Sequence, residues 1–164
     1  ARLLDAMPTE MVDQAIVHRL FSTLYCVLSE DAARAVAADA GRRTADYIVA
    51  NRIPSFAKTT LRVLPARLSA PLLLQAIKKN AWTFAGSGRV RVFARPSPVI
   101  EIARNPLAMP GCVWHVAVFE RLFRSLVSDT AAVTQVGCCL PGPGACRFTI
   151  RIHPDSEYPE KDGI

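Results

Sequence analysis

Four of the five cysteines fall in the last third of the chain, at Cys112, Cys138, Cys139 and Cys146. Three of them stand in the frame Cys112-x25-Cys138-x7-Cys146, and the last two bracket the turn-rich run Cys138-Cys139-Leu140-Pro141-Gly142-Pro143-Gly144-Ala145-Cys146. Thiolates gathered this way can hold a soft metal such as zinc or close a disulfide. Structural zinc usually takes four ligands, so Cys112, Cys138 and Cys146 need a fourth, and Cys139, His115 and Gln135 are the candidates. His115 lies three residues beyond Cys112 and shares a helix face with it. The competing reading is a set of buried, unligated thiols, since free cysteine behaves as a small hydrophobe.

No other arrangement has the pattern of a dedicated chemical site. Gly86-Ser87-Gly88 joins what read as two strands, whereas a phosphate cradle needs a helix N-terminus behind its glycines. No dinucleotide-binding or phosphate-loop fingerprint occurs, so no nicotinamide or flavin site is expected. The three histidines, His18, His115 and His153, stand in unrelated contexts and do not assemble a Ser–His–Asp set.

The elements that must position these residues follow from periodicity. Thr9 can cap a helix from Glu10 to about Leu28, with Val17, Leu20, Phe21, Leu24 and Leu28 at helical spacing. This face belongs to the core or to a homodimer contact. A second helix follows Ser29 and runs to about Asn51, with Gly41 marking a bend or break, and Pro54 ends the region. Ser55 to Arg67 reads as a short helix or turn. A further helix, capped at Ser69 with Pro71 in its first turn, covers Leu72 to about Asn80.

The pattern then changes. Ala81–Phe84 reads as a strand ahead of the Gly86–Gly88 turn, and Arg89–Phe93 alternates basic and apolar residues. Arg95–Pro98 is a turn, Val99–Arg104 a strand, and Asn105–Pro110 a loop. Gly111–Val127 returns to helical spacing, with Trp114, Val118, Leu122 and Leu126 near one stripe. Thr130–Gly137 and Arg147–Ile152 are strands. The sum is an α+β domain over residues 1–153, helices packed on a mostly antiparallel sheet, followed by a polar tail from Pro154 expected to be mobile.

Composition bounds the function. Half of the 164 residues are hydrophobic, so the chain is not a disordered tail, yet no apolar run is long enough to span a bilayer. The start, Ala1-Arg2-Leu3-Leu4-Asp5, lacks the apolar region of a signal peptide and lacks a Met, so the true N-terminus is expected upstream. An odd number of cysteines without an export signal argues for a reducing, cytoplasmic compartment. The formal charge is +6, and basic residues gather between Lys58 and Arg104. Such a face suits anionic lipid, nucleic acid or a carboxylate-bearing ligand, or is merely solvated. Aromatic residues are not interleaved with it as a single-strand nucleic-acid binder needs, and no nucleic-acid partner is expected.

Thr134-Gln135-Val136-Gly137-Cys138, followed by Gly144-Ala145-Cys146-Arg147-Phe148, resembles the signature of the 4-vinyl reductase domain family. That signature has an acidic residue three before the first Cys, a Gly/Ala-rich loop, a second Cys and a Phe. An earlier Cys, matched by Cys112, completes the family's metal site. Where the family holds Glu, this chain holds Gln135, a neutral amide. Gly41–Ile48, Lys78–Gly86, Trp114-His115 and Phe119–Phe123 extend the resemblance to the family's bacteriochlorophyll-biosynthesis members from purple phototrophic bacteria, over about residues 9 to 153.

The resemblance implies the ligand-binding fold of transport-complex subunits and a place in the magnesium branch of tetrapyrrole synthesis. It implies a protein handling a magnesium porphyrin or chlorophyllide precursor, as a non-enzymatic carrier, as a vinyl reductase, or as a module docking on magnesium chelatase. The chelatase large subunit and the following methyltransferase are the implied protein partners, and the photosynthetic membrane the implied surface for peripheral attachment. A pocket between helices and sheet is then expected, with Trp82, Phe84, Phe93 and Phe119 as walls, Lys79, Arg89 and Arg91 pairing with propionates, and His115 reaching a central metal.

Overall fold

The computed structural model describes residues 13–140 and 144–152. The expected Thr9 cap, Pro141–Pro143 of the cysteine-bracketed loop, His153 and the polar tail lie outside them.

Among the described residues, five helices come first, and four strands follow with a sixth helix between the second and third. α1 (Gln14–Val27) starts behind Asp13, whose side chain accepts from Ala15 N at 2.7 Å. α2 (Glu30–Asn51) starts behind Ser29, with Glu30 and Asp31 in the first turn where the helix dipole favours them. α2 runs unbroken through Gly41, so the expected bend is absent. Ala33, Ala37, Gly41 and Ala45 recur every fourth residue and form a buried small-residue seam. A Cβ added at Gly41 would lie 2.5 Å from the Trp114 carbonyl oxygen and 2.9 Å from Ala117 Cβ. Glycine is there because another helix passes at close range.

α3 (Ser55–Val63) and α4 (Ala66–Lys79) follow, joined by Leu64 and Pro65. α4 begins six residues earlier than its sequence suggests. Pro65, not Ser69, occupies its N-cap, Ser69 is buried, and Pro71 sits inside the helix. Proline there forgoes one backbone bond, and packing of Ala70, Leu73, Leu74 and Ile77 into the core holds the helix through it. The expected strand at Ala81–Phe84 is a short helix, α5 (Trp82–Ala85). Trp82, Thr83 and Phe84 have β-type propensity, but they follow Ala81 without an extended partner, and Gly86 at φ 51° closes the turn.

β1 (Arg89–Phe93), β2 (Val99–Ala103), β3 (Ala132–Gly137) and β4 (Ala145–Arg151) form one antiparallel sheet in the order β1-β2-β4-β3. The α+β architecture expected from the sequence is therefore observed. Between β2 and β3, a 3-10 turn at Pro110–Cys112 leads into α6 (Val113–Leu126). α6 lies along the inner face of the sheet, and Trp114, Val118, Leu122 and Leu126 are buried as their spacing requires.

Strand alternation separates the two faces of the sheet. Ile100, Ile102, Cys146, Phe148 and Ile150 point into the core; Arg89, Arg91, Arg147 and Arg151 point outward. Glu101 stands opposite both Arg91 and Arg147, so the outer face carries a charge ladder. Side chains fasten the layers: Arg121 bonds Asp46 between α6 and α2, and Arg124 Nε donates to the Ala131 carbonyl ahead of β3.

Candidate functional site

Three chain regions deliver the thiols to one point. Cys146 lies on the inner face of β4, opposite Ile102. Cys138 and Cys139 directly follow β3. Cys112 sits at the entry to α6, where Gly111 at φ 68° and Cys112 at φ 40° both take left-handed backbone. For a non-glycine residue that conformation costs on the order of 1–3 kcal/mol, and it is kept only where the surroundings impose it. Here it tucks Cys112 into the core while Cys112 N donates to the Met109 carbonyl.

The sulfurs of Cys112, Cys138 and Cys146 all lie within 4.8 Å of one another. Cys112 Sγ is 3.4 Å and Cys139 Sγ 3.3 Å from Cys146 Sγ. All are free thiols; Cys112 and Cys146 are fully buried and Cys138 is exposed. Asn105 supplies a further contact that the sequence did not single out. Its Oδ1 accepts from Leu107 N at 3.0 Å, which fixes the amide orientation and aims Nδ2 at Cys146 Sγ, 3.4 Å away.

Cys146 is thus the sulfur toward which donors converge. The hydrogen bond from Cys112 pulls its thiol down to about 5 against the cost of burial, and Asn105 and Cys139 act in the same direction. Cys112, holding the shared proton, is pushed up by that same bond and by burial. Burial first, and its contact with Cys146 second, push Cys139 up to about 11.

The set fits a soft cation. Three sulfurs bound at about 2.3 Å in a tetrahedron stand about 3.8 Å apart, a few tenths of an ångström wider than the closest pairs here. Cys112, Cys138 and Cys146 would hold such an ion, with Cys139 beside them. Gln135 turns its amide nitrogen to the Gly137 carbonyl at 3.1 Å, within its own strand end.

His115 does not join the sulfurs. It is fully buried, and its Nε2 lies 3.0 Å from the Phe84 carbonyl. That carbonyl needs a donor, so Nε2 carries the proton, and the 3.5 Å approach of Asn105 Nδ2 is then a donor–donor contact. Nδ1 is buried without a protein partner. The ring stacks on Phe148 with centroids 5.7 Å apart and meets Trp114 edge-on at 4.9 Å. Burial pushes its pKa down to about 4, partly offset by the Phe84 carbonyl. His115 is therefore a neutral core residue that anchors the backbone of Phe84.

Phe84 leads to the second feature. A cleft of about 790 Å³ opens between α2, α4 and α5, with Leu122 of α6 beneath. Ile48, Leu73, Ile77, Trp82 and Phe84 give it apolar walls, and Thr44, Tyr47, Arg52, Asn80 and Thr83 supply polar groups. The volume lies within the roughly 300–1,000 Å³ of small-molecule sites. Of the residues expected around a ligand, Trp82 and Phe84 line this cleft.

The others sit elsewhere. Phe119 is fully buried behind Phe84, ring centroids 5.6 Å apart, and backs the wall instead of forming it. Phe93 shares the parity of Arg89 and Arg91, and period-two alternation puts all three on the outer sheet face, away from the helices. Lys79 ends α4 beside the cleft residue Asn80 but is not part of the wall. The cationic wall residue is Arg52, whose guanidinium lies 6.0 Å from the Tyr47 ring centroid. Arg52 follows α2 in an unremarkable Asn-Arg-Ile-Pro run, and nothing in its local spacing distinguishes it. A smaller cavity of about 170 Å³, lined by His18, Phe21, Tyr25, Met109 and Leu140, lies beneath α1.

No protein-family model matches the chain. The chain is 50% identical over 118 residues to the bacteriochlorophyll synthase 23 kDa chain of Cereibacter sphaeroides, an alignment covering 68% of this chain and 57% of that protein. It is 49% identical over 119 residues to the protein of the same name from Rhodobacter capsulatus, covering 70% and 55%. The chain spans a little over half the length of these curated relatives. Identity at this level marks them as homologues, and their shared name points to bacteriochlorophyll biosynthesis.

Proposed function

We propose that the chain is a tetrapyrrole-binding accessory protein of bacteriochlorophyll biosynthesis, a carrier that holds a magnesium porphyrin or chlorophyllide precursor. The observation that carries this reading is the open, largely apolar cleft with Trp82 and Phe84 in its wall and one cation, Arg52, among its lining. A flat aromatic macrocycle gains from such walls, and a guanidinium suits a propionate carboxylate better than an ammonium does. The bacteriochlorophyll in the names of the two relatives supports a ligand of this class.

In this reading the residues hold and orient a ligand. Trp82, half-exposed at the rim, covers one edge of the macrocycle, while Ile48, Leu73 and Ile77 exclude water from its face. Arg52 orients the carboxylate edge outward. His115 acts one step behind the wall, keeping Phe84 in place through its carbonyl. The thiol cluster is structural: zinc held by Cys112, Cys138 and Cys146 would tie the end of β3 to β4 and the entry of α6. The exchange partners are the magnesium chelatase large subunit and the methyltransferase that follows it.

Titration of the purified chain with magnesium protoporphyrin, followed by absorbance and fluorescence, tests the proposal. A saturable red shift at micromolar pigment, weakened in Trp82→Ala, is expected. Absence of any spectral change removes the carrier reading. Turnover of a divinyl chlorophyllide with NADPH and no added partner would instead make the chain a vinyl reductase.

A further inference from the structure

We propose that the face formed by α3 and α4 docks on an anionic lipid bilayer. The argument starts from side chains that folding leaves outside. Phe56 is 75% exposed, Val63 78%, and Leu68 and Leu72 51% each. Phe56 and Val63 stand seven residues apart on α3, hence on one face; Leu68 and Leu72 stand four apart on α4, opposite its buried stripe of Leu73, Leu74 and Ile77. Two residues, Leu64 and Pro65, separate the helices, which also contact one another, so both exposed apolar pairs belong to one helix pair.

Charge in this region has one sign. Between Asp46 and Glu101 no acidic residue occurs, whereas nine of the chain's 20 Lys and Arg residues do. The rest of the chain holds eleven basic residues against fourteen acidic ones, so the net positive charge of the protein comes from this stretch alone. Among the described residues, Lys58, Arg67, Lys78 and Lys79 form no ion pair. Arg62 is engaged differently, its Nε donating to the Ser125 carbonyl at the end of α6.

An anionic bilayer answers both features. Helices that project Phe, Val and Leu can seat those side chains at the headgroup–acyl boundary, while the exposed Arg67, Lys78 and Lys79 of α4 meet lipid phosphates. A nucleic acid would use the cations and leave the apolar side chains in water. No helix among the described residues is long and apolar enough to cross a membrane, so the contact lies on the surface. α4 is then shared: its outer side carries Leu68 and Leu72, and its inner side gives Leu73 and Ile77 to the cleft.

Co-sedimentation of the whole chain with vesicles of phosphatidylcholine, with and without phosphatidylglycerol, tests this surface. Binding is expected only with phosphatidylglycerol and is expected to fall with added salt. Each basic residue near such a surface is worth about fivefold in partitioning, so the double variant Arg67→Gln with Lys79→Gln, both exposed on α4, is expected to bind about 25-fold more weakly. Phe56→Ser with Val63→Ser is expected to lose binding as well, with an unchanged circular dichroism spectrum because both side chains are exposed. Trp82→Ala is expected to bind vesicles like the parent, which separates this inference from the cleft reading. Failure to sediment with either vesicle, or equal binding to neutral vesicles, overturns the proposal. So does heparin binding as tight as vesicle binding that Phe56→Ser with Val63→Ser leaves intact, because the face would then be a general polyanion surface.

Discussion

The thiol cluster and the cleft lie along the same helix and are built on opposite terms. At the entry of α6, buried sulfurs and one buried amide satisfy one another and little else. Farther along, Leu122 forms the floor of a cleft whose rim residues, Tyr47, Arg52 and Trp82, are exposed. Groups in the cluster depend on their partners for solvation, whereas groups at the rim have water as an alternative. Stability is therefore expected to reside in the first region and ligand preference in the second.

Cys146→Ala attacks the centre of the cluster. It leaves Cys112 and Asn105 without their acceptor in a fully buried place, and is expected to cost about 3 kcal/mol in urea unfolding. Zinc content, measured by elemental analysis after expression with zinc, is expected to fall to background in the same variant. Cys138→Ser, at an exposed sulfur, is expected to stay within about 0.5 kcal/mol of the parent in chelator while also losing metal. Equal costs for the two would erase the distinction between buried donors and exposed ligand.

His115 sits between the regions and gives a pH signature. The folded chain holds the ring neutral down to about 4, whereas the unfolded chain takes up a proton near 6.5. Below 6.5 the unfolded state binds more protons, so this contribution is intact above 6.5 and is lost as pH falls toward 4. The full loss is about 3 kcal/mol. In His115→Gln the difference in unfolding free energy between pH 7 and pH 4 is expected to shrink by about that amount; an unchanged pH profile would place the proton elsewhere.

Effects at the cleft are smaller and of another kind. Trp82→Ala is expected to weaken porphyrin binding about tenfold while moving stability by less than about 1 kcal/mol, since the indole is already half-exposed. Arg52→Gln is expected to weaken binding of a free propionate porphyrin about threefold to tenfold and leave its methyl ester unaffected. Arg91→Gln, on the outer sheet face, serves as the parallel measurement and is expected to change neither.

The strands and the long helices were legible because their periodicity reports burial directly. β1 and β4 alternate, β2 is mostly apolar in sequence, and α6 carries its stripe, so the elements follow from the residues. Three signals misled for physical reasons. Ser69 and Pro71 have the form of a helix start, yet the helix begins at Ala66 because core packing outweighs one missing backbone bond. Ala81–Phe84 has strand residues but lies where the chain turns between α4 and β1. Gly41 has the form of a break and is instead a point of contact.

The thiol cluster was readable because its members share a chemistry that few other residues have. The cleft was readable only in Trp82 and Phe84. Its remaining wall comes mostly from α2 and α4, with Val17 of α1 and Leu122 of α6, residues of ordinary core type until the fold leaves a space between them. Alternation places Arg89, Arg91 and Phe93 together, but does not say on which side of the sheet the helices lie.

The contact at Gly41 sets the spacing of α2 from α6, and one turn later α2 contributes Thr44, Tyr47 and Ile48 to a wall whose floor is Leu122 of α6. Cleft width is therefore governed from a position outside the cleft. A single methyl group at residue 41 would act as a shim, prising wall from floor without altering any surface the ligand touches. Cleft size is thus adjustable in this fold at a site that a search confined to the cleft lining would pass over.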